Sequence, residues 1–124
     1  MTPWPPSRPA PERDARVDSA FNYHLQELTA ISGARLADAS GLSAIVVAAA
    51  GAVGMPTLGP PVVRESPGGV AVALLCRDGH IALHTVPDAG LCFVAVVARA
   101  PADVGRGAEV ISRGLSRDAG RRAP

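Results

Sequence analysis

Between residues 18 and 115 the apolar positions recur with two periods, and these lay out strands and helices in turn. Phe21, Tyr23 and Leu25 interleave with polar Asn22, His24 and Gln26, the period of two expected of a half-buried strand. Asp38 or Ser40 can cap a helix that carries Leu42, Ile45, Val46, Ala49 and Val53 on one stripe, and Gly54 and Pro56 stop it. A short strand at Val62-Val63-Arg64 precedes a turn at Ser66-Pro67-Gly68-Gly69. Strands follow at Val70–Cys76, His80–Val86 and Leu91–Arg99, joined by the hairpin-length linkers Arg77-Asp78-Gly79 and Pro87-Asp88-Ala89-Gly90. Pro101 then opens a second helix with Val104, Ala108, Ile111 and Leu115 on one face.

The order β-α-β-β-β-β-α predicts an α+β, two-layer sandwich, an antiparallel sheet with both helices on one face. Apolar residues fill both sides of the Val70–Cys76 and Leu91–Arg99 strands, so the other sheet face needs cover. A homodimer supplies it most cheaply. Residues 1–17, rich in Pro, Arg and Ala, read as a disordered arm with two PxxP patterns, Pro3–Pro6 and Pro6–Pro9. Residues 116–124 read as a disordered tail, leaving 18–115 as one domain.

Composition narrows the function classes. Formal net charge is only +1, against a binder that works by neutralising phosphates, so no nucleic-acid partner is expected. All 12 basic residues are Arg, which removes lysine as a Schiff base or phosphate clamp. Cys76 and Cys92 make no disulfide framework. The most apolar run, Leu42–Gly54, is about 13 residues against roughly 20 needed to cross a bilayer, so no membrane contact is expected. With no signal-peptide pattern at the start, a cytoplasmic location is the default.

Three stretches carry a resemblance. His24-Leu25-Gln26-Glu27-Leu28, Ser66-Pro67-Gly68-Gly69-Val70-Ala71 and Asp78-Gly79-His80-Ile81-Ala82-Leu83-His84-Thr85-Val86-Pro87-Asp88, in this order, are similar to blocks of the bacterial S-adenosylmethionine decarboxylases of polyamine synthesis. In that family the last two blocks read S-P-x-G-V-S and E-S-H-I-x-I-H-T-W-P-E. The resemblance implies that fold over about Phe21 to Ala100. It also implies a chemistry in which the serine of E-S-H becomes a pyruvoyl group, the electron sink for decarboxylation.

Here that serine's place is taken by Gly79, which has no oxygen for the acyl shift or the elimination. The second processing serine corresponds to Ala71, and the proton-donating cysteine to Arg99. The adenine-stacking aromatic corresponds to Glu65 and the Trp of H-T-W-P-E to Val86, removing stacks worth about 1–3 kcal/mol each. Retained are His84 at the family's processing histidine, Glu27 at its N-terminal acid, His80 at the histidine of E-S-H, and Asp88 at its ribose-binding acid. The expectation is an uncut chain without a pyruvoyl group.

The candidate residues also have ordinary structural readings. His84 can be a hydrogen-bonding strand residue, His80 can close a hairpin, Asp78-Gly79 is first a turn dipeptide, Glu27 can be an exposed strand position and Arg99 a solvated strand end. His80 and His84, four residues apart on one strand, have α-carbons about 13 Å apart, too far to share a metal ion easily. The functional reading makes His84, Glu27 and His80 the acid–base set and gives ligand contacts to Asp88, Arg99 and Glu65, with no metal. It expects a repurposed enzyme or binding protein acting on a small molecule by cyclisation, elimination, isomerisation or hydrolysis. The alternative is a non-catalytic regulatory partner. The assembly expected is a homodimer, or a hetero-oligomer with a related enzyme.

Overall fold

A computed structural model describes residues 20–120, with side chains through Ser116. Five strands, β1 (Phe21–Leu28), β2 (Val62–Ser66), β3 (Gly69–Cys76), β4 (Gly79–Val86) and β5 (Leu91–Arg99), form one antiparallel sheet in the order β1-β5-β4-β3-β2. Three helices, α1 (Gly33–Leu36), α2 (Ala39–Val53) and α3 (Val104–Gly120), complete the chain. The expected two-layer α+β arrangement is present. The short α1 and a 3₁₀ turn at Pro87–Ala89 fall where the sequence suggests only connections.

α2 begins where a capping residue is available. The Asp38 carboxylate accepts from the Gly41 amide at 3.0 Å, and Gly54 ends the helix in the left-handed conformation, φ 87°. The second long helix starts three residues later than Pro101. Asp103 takes the Gly105 amide at 3.1 Å, a side-chain cap that proline cannot offer, so the helix proper begins at Val104. α3 continues to Gly120, so the expected tail is helical in its first five positions. The arm 1–17 with its PxxP patterns and residues 121–124 lie outside the described residues.

The core lies between the helices and one sheet face. Val72 and Leu74 of β3, Ile81 and Leu83 of β4, and Val94 and Val96 of β5 meet Leu42, Val46, Ile111 and Leu115, all nearly or fully buried. Each such side chain contributes about 1.5–3 kcal/mol by leaving water. Among the described residues, Thr85 is the one buried polar side chain. Its hydroxyl donates to the Leu36 carbonyl at 2.8 Å and accepts from the Val70 amide at 3.0 Å, tying α1, β4 and β3 together.

β1 faces opposite to the simplest reading of its alternation. Phe21, Tyr23 and Leu25 point away from the helices and are 43, 69 and 57% exposed, whereas Asn22, His24 and Gln26 are half-buried on the helix side. The polar set finds partners there. Asn22 donates to the Ala102 carbonyl at 2.9 Å, and His24 and Gln26 bond each other at 2.9 Å. The outer sheet face is therefore largely apolar and, within one chain, uncovered.

Candidate functional site

Strand alternation and register assemble the outer face from Phe21, Tyr23, Leu25 and Glu27 of β1, Phe93, Ala95, Val97 and Arg99 of β5, and His80, Ala82 and His84 of β4. Ala71, Ala73 and Leu75 of β3 and Val62 and Arg64 of β2 complete it. The pairings Glu27↔Phe93, Phe93↔His84, His84↔Ala71 and Ala71↔Arg64 place five residues in one row across the sheet. With strands about 4.8 Å apart, Glu27 and Arg64 each stand about 10 Å from His84 at the α-carbons. An acid, an imidazole and a guanidinium are thus separated by one aromatic and one small residue. A group resting on Phe93 can meet Glu27 and His84 together; one resting on Ala71 can meet His84 and Arg64.

The remaining sequence candidates are scattered around this row. His80 shares the face but sits two rungs away along β4, between Val97 and Leu75, with the Ala95–Ala82–Ala73 rung intervening. Arg99 lies toward the far end of β5. Its guanidinium is 3.8 Å from the Asp78 carboxylate and 5.6 Å from the Phe21 ring centre, contacts of small energetic value at this exposure. Glu65 pairs with Val70, whose side chain is buried under the helices, so Glu65 turns away from His84. Asp88 is exposed in the 3₁₀ turn after β4, beyond the end of the row. Among the described residues no three His, Cys, Asp or Glu side chains gather around a common point.

Two members of the row, Arg64 and Phe93, are missed when the sequence is read strand by strand. The signal that finds them is register. A turn at Ser66–Gly69 sets Arg64 beside Ala71, and the Pro87–Gly90 connection sets Phe93 beside His84. A hollow of about 220 Å³ lies at this end of the face, lined by Arg64, Ser66, Gly69, Ala71, His84 and Thr85 among others. A second hollow, about 620 Å³, lies at Phe21–Tyr23 and Pro101–Val104 and contains none of the row.

The thiols take no part in this face. Cys76 and Cys92 are buried on the helix side, and desolvation raises both thiols, Cys92 to about 11. The hairpin tip does not fit a self-made pyruvoyl group. Gly79 supplies no hydroxyl, and a Cβ built on it would overlap the Val97 carbonyl oxygen and lie 2.8 Å from Met55 Sδ. The tip is also pinned from both sides: the Arg77 amide donates to the Pro56 carbonyl at 2.8 Å and the Arg99 amide to that of Asp78 at 3.1 Å.

No helix among the described residues is long and apolar enough to cross a membrane. A search of curated protein sequences returns no match. Among solved structures, the adenosylmethionine decarboxylase from Aquifex aeolicus VF5 is similar, with a TM-score of 0.73 and 17% identity. The match covers 81% of this chain and 83% of that one, and at this identity it establishes the fold. The family profile for S-adenosylmethionine decarboxylase matches residues 23–121, most of the described chain. By that match this chain belongs to the S-adenosylmethionine decarboxylase family.

Proposed function

We propose that this family member stays a single uncut polypeptide, carries no pyruvoyl group, and uses its outer sheet face for proton transfer on a small molecule. The observation that carries this reading is the row Glu27–Phe93–His84–Ala71–Arg64. The His84 imidazole can donate a proton from one ring nitrogen and accept one at the other, and the carboxylate of Glu27, across Phe93, can accept a proton from the same ligand. Without an electron sink, the reactions within reach are cyclisation, elimination, isomerisation or hydrolysis. A second copy covers the rest of the face, because Tyr23, Leu25 and Leu75, each more than half exposed, otherwise remain in water.

Two experiments test this reading. Intact-mass measurement should give one species near 12.6 kDa, and two fragments with a pyruvoyl end would refute it. In a host deleted for the gene, metabolites changed by the deletion should return with the wild-type chain and not with His84→Ala. The exposed apolar face equally suits a regulatory partner of a related enzyme. That reading gains if His84→Ala restores the metabolites while Leu25→Lys, which damages only the face, does not.

A further inference from the structure

We infer that the hollow between Arg64 and His84 is a binding site for a small carboxylate anion. The inference deepens the acid–base reading above and rests on it, because it names what His84 would act upon. The side-chain donors that line the hollow and remain available are the Arg64 guanidinium and the His84 imidazole, while the Ser66 hydroxyl donates to the Gly69 carbonyl at 3.3 Å. The Thr85 hydroxyl is already spent on Leu36 and Val70. No carboxylate competes from within. Glu65 faces the other side of β2, and Glu27 is separated from the hollow by Phe93 and His84.

Arg64 gives one N–H to the Val63 carbonyl at 2.8 Å, and among the described residues no acid pairs with it. Its planar fork therefore keeps the geometry that grips a carboxylate by two parallel hydrogen bonds. The hollow, about 220 Å³ and open to solvent, has room for a small acid. A carboxylate on Arg64 places its α- and β-carbons over Ala71, under the imidazole of His84. β2 is the edge strand, so this hollow opens at the rim of the face and stays accessible when a second copy covers the centre.

The test is titration of the full-length protein with pyruvate, inorganic phosphate and sodium chloride, read from the His84 ring resonances by NMR. Pyruvate should shift them saturably, phosphate more weakly and chloride not at all. Arg64→Gln should weaken pyruvate binding about tenfold or more, the loss of a charge-assisted bidentate pair, and Arg64→Lys should restore it only in part. Ala71→Leu, which fills the floor, should abolish binding while leaving Arg64 in place. Unsaturable shifts shared with chloride, tighter binding of phosphate, or an Arg64→Gln protein with unchanged affinity would overturn the assignment. The two readings fail separately. If pyruvate does not bind while His84→Ala still abolishes function in the host, the anion site falls alone. If pyruvate binds through Arg64 while His84→Ala is fully functional, the proton-transfer reading falls alone.

Discussion

Gly79 and Val97 approach so closely across the β4–β5 ladder that a Cβ on residue 79 would overlap the Val97 carbonyl oxygen and reach within 3.0 Å of the Ala98 α-carbon. Backbone atoms cannot swing aside as the end of a flexible side chain can. Gly79→Ser should therefore destabilise the fold by about 2 kcal/mol or more through overpacking, read as a lowered melting temperature. For a domain of this size each kcal/mol is worth roughly 4–8 °C. Even with Ala71→Ser added, intact mass should show an uncut chain, because residue 79 points into the core against Met55. Cleavage in the double variant would show that only the missing hydroxyl separates this chain from its self-processing relatives.

Thr85 sits beside His84 on β4 with its side chain on the opposite face. Thr85→Val keeps the shape but leaves the Val70 amide and the Leu36 carbonyl without their hydroxyl partner in the core. An unsatisfied buried group costs about 1–3 kcal/mol, so the urea midpoint should fall at unchanged slope. Because the same bonds hold β3 against β4 under the hollow, pyruvate affinity should fall as well. A midpoint equal to wild type would mean that water replaces the hydroxyl.

Much of this architecture is legible in the residues because local signals agree with one another. The stripe Val104, Ala108, Ile111 and Leu115 is buried in α3, and Asp38, one of the two capping residues the sequence offers, is the observed cap. The facing of β1 is not legible. Alternation shows that its two sides differ, but not which side meets the helices, and Phe21, Tyr23 and Leu25 look like core until the uncovered sheet face is considered. For the candidate site, His84 and Glu27 stand out individually, while their placement on either side of Phe93 is a property of register between β1, β5 and β4. Arg64 looks like the end of a short strand until β2 is paired with β3. Asp88 and Glu65, picked by their place in the sequence blocks, are carried by a turn and by the opposite strand face.

Cys92 ties stability to alkaline pH. Its thiol is fully buried and desolvation pushes it from 9.0 up to about 11, so the folded state holds this proton more tightly than the unfolded chain does. The resulting contribution is fully present below pH 9 and is lost between about pH 9 and 11, as the unfolded state ionises first. Denaturation followed across this window should show stability falling by up to about 1.4 kcal/mol per pH unit from this one group. Cys92→Ala should be less stable at pH 7 because of the cavity, yet show a shallower alkaline decline. An identical decline in both proteins would assign the effect to other groups.

The uncovered face makes the last prediction. Leu25, Ala95, Ala82, Ala73 and Val62 form a rung of mainly small side chains across the whole sheet, flanked by Tyr23 and Leu75 on one side. Such a surface packs well against another sheet at about 10 Å separation, where alanines allow close approach and the larger residues interlock around them. Sedimentation should therefore find a dimer whose melting temperature rises with concentration. Leu25→Lys places a charge at the β1 end of the contact, at a position 57% exposed in the single chain and thus harmless to the protomer's own core. It should yield a folded monomer with near wild-type circular dichroism and a concentration-independent melting temperature. A wild-type protein that sediments as a monomer at all concentrations would leave the face for a different chain, and the regulatory-partner reading would then be the one to pursue.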